Sequence, residues 1–456
     1  MVIGNRNVKC PEISFPNTLY LIPNNLSSGI FTLMSLLFKP VDWSYQTSLY
    51  EVNVRQYTPE GTFKAFSKHL TRIRNMGIEV LWFMPITPIS VAGRQGTLGS
   101  YYACSDYTNT NPEFGTVEDF KALVKKAQSL GLKVIIDWVA NHTGCDHHWI
   151  KENPGFYIHN EKGELYDRNG WQDVVDLNYY NGGLRAAMID AMTFWVKECN
   201  IDGFRCDMAH LVPLDFWREA RTKLEETKQL FWLAETETPI YHEVFDASYT
   251  WTWMHKTQDF VNGKIGLRDL RNVLIDDANR FPAEAFRLWF TANHDENSWN
   301  GTEYEKYGEA AKALAVFSVT WRGIPLVYSG QEIPNLKRLK FFDKDPIEWK
   351  PELTMEPFYK SLLQIRKRNV AISAAIDAAC IFITTSADQQ VLSFLRRKGN
   401  NEVLVLLNMS SANIDAQITD QQVTGKFKDA LAAKQKDFTK DRAFQLNAWD
   451  YAVYEK

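Results

Sequence analysis

From Leu49 onward, short apolar runs alternate with longer segments whose apolar positions recur every three to four residues. Short runs bounded by polar punctuation read as buried strands and the longer segments as amphipathic helices, so the alternation predicts βα units around a parallel sheet. The strand readings are Val52–Gln56, Val80–Phe83, Lys133–Trp138, Gly203–Cys206, Phe231–Ala234, Phe245–Tyr249, Leu288–Thr291 and Leu326–Tyr328. Helices are read at Phe63–Asn75, Leu184–Glu198 and Glu309–Val319. Another follows the cap pair Thr116 and Asp119, with Phe120, Leu123, Val124, Ala127 and Leu130 on one face and Gly131 as the stop.

Eight such strands with intervening helices close into a (β/α)8 TIM barrel, assigned to residues 49–373. The stretch after the third strand, 143–183, is too long and loop-rich for a simple connection and reads as an inserted subdomain. Beyond residue 374 the period becomes two, as in Val391–Leu395 and Val403–Leu407, which predicts a C-terminal antiparallel β-sandwich domain over 374–456. Residues 1–48, punctuated by Pro11, Pro16, Pro23 and Pro40, read as an extended leader.

Composition narrows the function classes. With 51 Lys and Arg against 55 Asp and Glu, the net charge of −4 offers no basic excess for nucleic acid. The longest apolar stretch, Leu26 to Phe38, falls short of the ~20 residues of a membrane span. It has the length of a signal-peptide apolar region but lies far from Met1 and lacks a small-residue cleavage site, so the compartment stays open. The six cysteines show no CxxC pair and indicate neither a zinc site nor a disulfide framework. Aromatic residues reach 13%; for Trp43, Trp138, Trp251, Trp253 and Trp299 the reading is core packing ahead of sugar stacking.

In a parallel barrel the chemistry lies at the strand C-terminal ends, and there this sequence places acids and their partners. Asp137, Asn141 and His142 follow one apolar run, Arg205 and Asp207 another, Glu235 a third, and His294 and Asp295 a fourth. Three carboxylates converging with an arginine and two histidines suit acetal cleavage, in which one acid donates a proton while a carboxylate attacks. An all-oxygen site for Mg²⁺ or Mn²⁺ is disfavoured because Arg205 shares a strand face with Asp207.

These segments resemble glycoside hydrolase family 13, the α-amylase family, from about Tyr50 through the C-terminal β domain. The carriers are Asp137-Trp-Val-Ala-Asn-His142, Gly203-Phe-Arg-Cys-Asp207, Glu235 and Phe290-Thr-Ala-Asn-His-Asp295, supported by Gly99-Ser-Tyr-Tyr102 and Gly323–Glu332. The resemblance implies Asp207 as nucleophile, Glu235 as general acid/base and Asp295 as the transition-state-stabilising carboxylate. It also implies Tyr102, His142, Arg205 and His294 as substrate-binding residues. Arg205 is expected to lower the Asp207 pKa, and Asp295 to raise that of Glu235. No organic cofactor is implied. Asn141 and Asp176, with the Leu211 carbonyl, match positions that in many members hold a structural Ca²⁺, although two side chains alone do not make a calcium site.

Two departures bear on specificity. His210-Leu211 stands where many family α-amylases have Lys-His, and Ala103 stands where exo-acting glucosidases carry an Asp that caps the substrate's non-reducing end. The resulting expectation is a retaining, endo-acting α-amylase on starch, glycogen or maltooligosaccharides, acting as a monomer with an α-glucan as its partner. A cyclomaltodextrinase, neopullulanase or glucanotransferase would share all seven residues, and the segment before Tyr50 is too short to supply the extra N-terminal β domain of the cyclodextrin-degrading branch. A non-catalytic glucan-binding protein is the reading from another class; such relatives usually lose carboxylates that this chain keeps.

Overall fold

The computed structural model describes residues 36–432 and 434–456, so most of the leader reading lies outside the described residues. Eight parallel strands close into a barrel: β1 (Leu49–Val52), β2 (Val80–Phe83), β3 (Lys133–Trp138), β4 (Gly203–Cys206), β5 (Phe231–Ala234), β6 (Ala247–Tyr249), β7 (Phe286–Trp289) and β8 (Ile324–Tyr328). Each strand pairs with its neighbours in sequence, and β1 closes the ring against β8. At β1 the strand lies earlier than the sequence pattern suggests. Asn53 caps a helical turn at Val54–Tyr57 by accepting from the Gln56 N–H, and so ends the strand.

Alternation builds the barrel. Leu49, Val80, Ile135, Phe231, Leu233, Phe286 and Leu288 point inward and pack together, while Tyr50, Leu81, Phe83, Ile136, Phe204 and Trp232 pack outward against the helices. Gly203 begins β4 because a Cβ there would lie 2.0 Å from the Phe231 carbonyl oxygen. Below the barrel, Val41 joins the interior cluster and Trp43 packs its ring 5.7 Å from Phe231, so this end of the segment read as a leader is part of the core. Asp42–Gln46 forms a 3-10 turn there. The capping box at Thr116 and Asp119 opens the helix Val117–Ser129.

After β3 the chain makes a small excursion in which His142–Gly144 pairs antiparallel with Val174–Asp176. The C-terminal region is antiparallel. It forms a six-stranded sheet that includes Val391–Lys398 and Asn401–Asn408, and a two-stranded sheet of Ile414–Gln417 and Ala443–Leu446, with an apolar core of their own. Phe394 packs 4.8 Å from Trp321, and Arg396 donates to the Thr320 carbonyl at 3.0 Å, joining this region to the barrel. Among the described residues no helix is long and apolar enough to cross a membrane.

Candidate active site

The inward-facing positions that fill the barrel with apolar side chains become polar at its C-terminal mouth. Following Leu49 by one step of two is Glu51; following Ile135 is Asp137; Gly203 leads to Arg205 and then Asp207; Phe231 and Leu233 lead to Glu235. The mouth is thus the top layer of the barrel interior, and all of these groups are buried.

One hydrogen-bonded belt crosses the mouth. Nη1 of Arg205 donates to Asp207 at 2.8 Å and to Asp137 at 2.9 Å. Its Nη2 lies 2.8 Å from Glu235 Oε2, yet no N–H there is aligned on an acceptor, so this is a charge contact rather than a hydrogen bond. The guanidinium sits among the rings of Trp82, Tyr249 and Tyr102, with centroids at 5.1, 5.5 and 5.9 Å. The Tyr102 hydroxyl donates to Asp137 at 3.1 Å and meets His294 Nε2 at 2.6 Å. Nδ1 of His294 is bonded to Glu51, and Nε2 also lies 3.3 Å from Asp295. Met208, directly after Asp207, adopts left-handed φ of 40°, a costly conformation for a non-glycine residue. That twist aims its backbone N–H at Glu235 Oε2, 3.0 Å away.

The electrostatics differ from the sequence expectation at Asp207. Burial raises Asp207 above the ordinary carboxylate range, with Arg205 and a side-chain hydrogen bond to Glu235 pulling it back, so desolvation outweighs the lowering by Arg205. Burial also raises Glu235; Arg205 opposes this, and the like charge of Asp207 adds to it. The aligned N–H of Arg205 falls on Asp207 and not on Glu235, which favours negative charge on Asp207. Asp295 is raised by burial, with His294 opposing and Glu235 contributing. Burial lowers His294, but Asp295 and Glu51 outweigh it and bring the imidazole to about 9. His142 is lowered by burial against the pull of Asp167 and Asp176, so it is neutral near pH 7.

The structure therefore brings Tyr102, Arg205, Asp207, Glu235, His294 and Asp295 into one cluster. His142 lies at the adjoining end of β3, its ring 5.3 Å from that of Trp171 in the inserted segment. Several members are absent from the sequence reading. Glu51 stands on β1 with one carboxylate oxygen bonded to His294 and the other unpartnered; Trp82 Nε1 donates to Asp137 at 3.2 Å; Tyr249 accepts from Arg205 at 3.2 Å. A Glu at the inward position of an apolar strand was the available signal for Glu51. Trp138 and Trp253 are buried as expected, whereas Trp299 is 52% exposed.

Asn141 and Asp176 are adjacent, and the Asp176 carboxylate is engaged by protein groups. Asp176 Oδ2 accepts from Arg168 Nε at 2.5 Å and from its backbone N–H at 3.1 Å, while Oδ1 accepts from the Asn141 amide at 3.3 Å. The carboxylate is already matched by a guanidinium, and Asn141 presents its nitrogen rather than its oxygen to it. Leu211 sits in a 3-10 turn, Ala209–Leu211, and donates its N–H to Met208 O. Among the described residues no three His, Cys, Asp or Glu side chains gather to hold a metal.

A family model described as "Alpha amylase, catalytic domain" matches residues 44–156 and 153–350. "Alpha-amylase MalA" of Haloarcula japonica is 26% identical over 388 residues, covering 81% of this chain and 56% of that protein. The chain thus spans little more than half the length of that curated relative. Among solved structures, an alpha-amylase from Lactobacillus plantarum superposes with a TM-score of 0.82 at 28% identity, covering 90% of this chain and 99% of that one. A noncanonic maltogenic alpha-amylase, AmyB from Thermotoga neapolitana, does so with 0.80 at 31% identity, covering 90% and 96%.

Proposed function

Because this chain belongs to the α-amylase family, glycoside hydrolase family 13, a family of glycan-active glycosidases, we propose that it is a retaining, endo-acting α-amylase cleaving α-1,4-glucosidic bonds. The observation that carries this reading is the single guanidinium of Arg205 in contact with both Asp207 and Glu235. Retaining glycosidases need their two carboxyl groups about 5–5.5 Å apart, whereas inverting enzymes leave room for water at about 6.5–9.5 Å. Two carboxyls gathered on one guanidinium suit the narrow arrangement.

Asp207, carrying the negative charge, attacks the anomeric carbon; the glycosidic C–O bond breaks and the departing oxygen takes the proton of Glu235. Glu235, now a carboxylate, removes a proton from water as that water displaces Asp207 from the anomeric carbon. Asp295 stabilises the positive charge that develops on the sugar, His142 and His294 hold its hydroxyls, and the Tyr102 ring packs against it. The buried Ala103 beside Tyr102 has no carboxylate to cap the end of a chain, which favours internal cleavage.

The test compares amylose, pullulan and cyclodextrin, following iodine staining and reducing ends together. Rapid loss of stain with few new reducing ends and mixed maltooligosaccharide products supports internal hydrolysis. Slow loss of stain with one small product, or preference for cyclodextrin or pullulan, moves the chain to the cyclomaltodextrinase or neopullulanase reading. That second reading is favoured by the maltogenic character of the Thermotoga neapolitana relative.

A further inference from the structure

Beyond Tyr102, the aromatic surface of the mouth continues outward. Phe341 lies nearly parallel to the Tyr102 ring, at 11° and 6.2 Å between centroids, and 6.4 Å from His294. Trp299 follows at 5.3 Å from Phe341 and 5.7 Å from Phe342, with half of its surface exposed. These rings come from two separate loops, after β7 and after β8, whose segments are locked together: Asn297 donates to the Lys337 carbonyl and accepts from the Leu339 N–H at 2.9 Å. A third segment braces them. Gly96, at φ +60°, lies so close that a Cβ there would stand 2.5 Å from the Phe342 Cβ, and the Leu98 N–H donates to the Phe342 carbonyl at 2.9 Å.

An exposed tryptophan held rigidly on top of other rings is preorganised for a flat, partly apolar ligand and gains nothing for folding by staying exposed. We propose that Trp299, Phe341 and Phe342 form a stacking platform for a glucosyl unit one or more places along the α-glucan from the sugar being cleaved. This rests on the functional reading above and adds to it the residues that grip a longer chain. Pyranose rings carry C–H faces that stack on indole, and the platform continues directly from Tyr102 and His294, the groups assigned to the cleaved sugar. The platform loops follow β7 and β8, whereas Glu235 follows β5.

The experiment measures kcat/KM for maltotriose through maltoheptaose with the wild type, Trp299→Ala and Trp299→Phe. Binding of maltoheptaose to Asp207→Asn proteins with and without Trp299→Ala is measured in parallel by calorimetry. In the wild type, kcat/KM rises with each added glucose. Trp299→Ala flattens that rise, costing about five- to tenfold on maltoheptaose and little on the shortest substrate that is cleaved, mainly through KM. Trp299→Phe, which keeps a ring, retains most of the rise, and maltoheptaose binding weakens by a similar factor without turnover. Equal losses at every chain length, or unchanged binding in the double variant, would overturn the platform. A wild type that binds maltoheptaose through Trp299 but cleaves no glucan would overturn the functional reading and leave the platform standing.

Discussion

Glu51→Gln tests the electrostatic design of the mouth at a residue with no exposed surface. In the wild type, His294 is raised to about 9 from its ordinary value near 6.5, Asp295 and Glu51 together overcoming burial. A histidine raised on folding contributes stability that is fully present below about pH 6.5 and is lost as the pH climbs through about 9. Removing the Glu51 charge takes away one of the two carboxylates that raise the buried imidazolium most. At pH 7 it has an exit that an arginine would lack: it can shed its proton at a cost of two pH units, roughly 2.7 kcal/mol at about 1.36 kcal/mol per unit. The loss at pH 7 is therefore about 1–3 kcal/mol, below the roughly 3–5 kcal/mol of a broken buried pair with no such exit. Glu51 is itself raised by burial with His294 pulling it back, so above pH 9 the wild type retains a buried carboxylate without its cation and the advantage disappears. The assay is urea unfolding of both proteins from about pH 6 to 10.5, reading their difference so that all other titrating groups cancel. A gap of about 1–3 kcal/mol at pH 6–7 that closes between about pH 8.5 and 10.5 is the expected result. A gap that is absent at pH 7, or that holds constant to pH 10.5, refutes the reasoning.

Three further perturbations follow from the same geometry. Asp207→Asn lowers kcat by at least about 10³-fold while the thermal midpoint stays within a few degrees, because an isosteric change at a strand end opens no cavity; near wild-type turnover would remove Asp207 as the nucleophile. Arg205→Lys keeps a charge but cannot serve Asp137, Asp207 and Glu235 from one planar fork, so kcat falls by about 100-fold or more with KM less affected, as steady-state kinetics on maltoheptaose would show. With Arg168 already matched to Asp176, EDTA leaves the thermal midpoint unchanged, while Arg168→Ala costs about 1–2 kcal/mol by urea unfolding, a modest figure because the guanidinium is half-exposed; a midpoint that drops in EDTA would contradict this.

The barrel was legible because its strands are short apolar runs separated by well-marked helices, and the acids at its mouth because each follows such a run directly. Boundaries shifted where local chemistry decided. Asn53 caps a turn inside what looked like β1, and the helix read at Phe63–Asn75 is broken by a 3-10 segment at Ser67–His69. What the sequence could not display was proximity across the barrel. Glu51 and His294 lie 243 positions apart, and Trp299 and Phe341 meet only because two loops close over the same opening. The pKa order at Asp207 likewise depends on how thoroughly the mouth excludes water, a property of the closed barrel and not of the Arg205–Asp207 spacing. For the same reason the pairing of Asp176 with Arg168 was not legible, because no spacing rule connects the two residues.

The most direct test of the account is the anomeric form of the first product. Proton NMR of maltoheptaose hydrolysis, recorded before mutarotation equilibrates the new reducing ends, distinguishes two displacements at one carbon from a single one. If Asp207 and Glu235 act as nucleophile and acid, the α-anomer accumulates first and the β-anomer only as mutarotation proceeds. Initial formation of the β-anomer would contradict the assigned roles of both carboxylates.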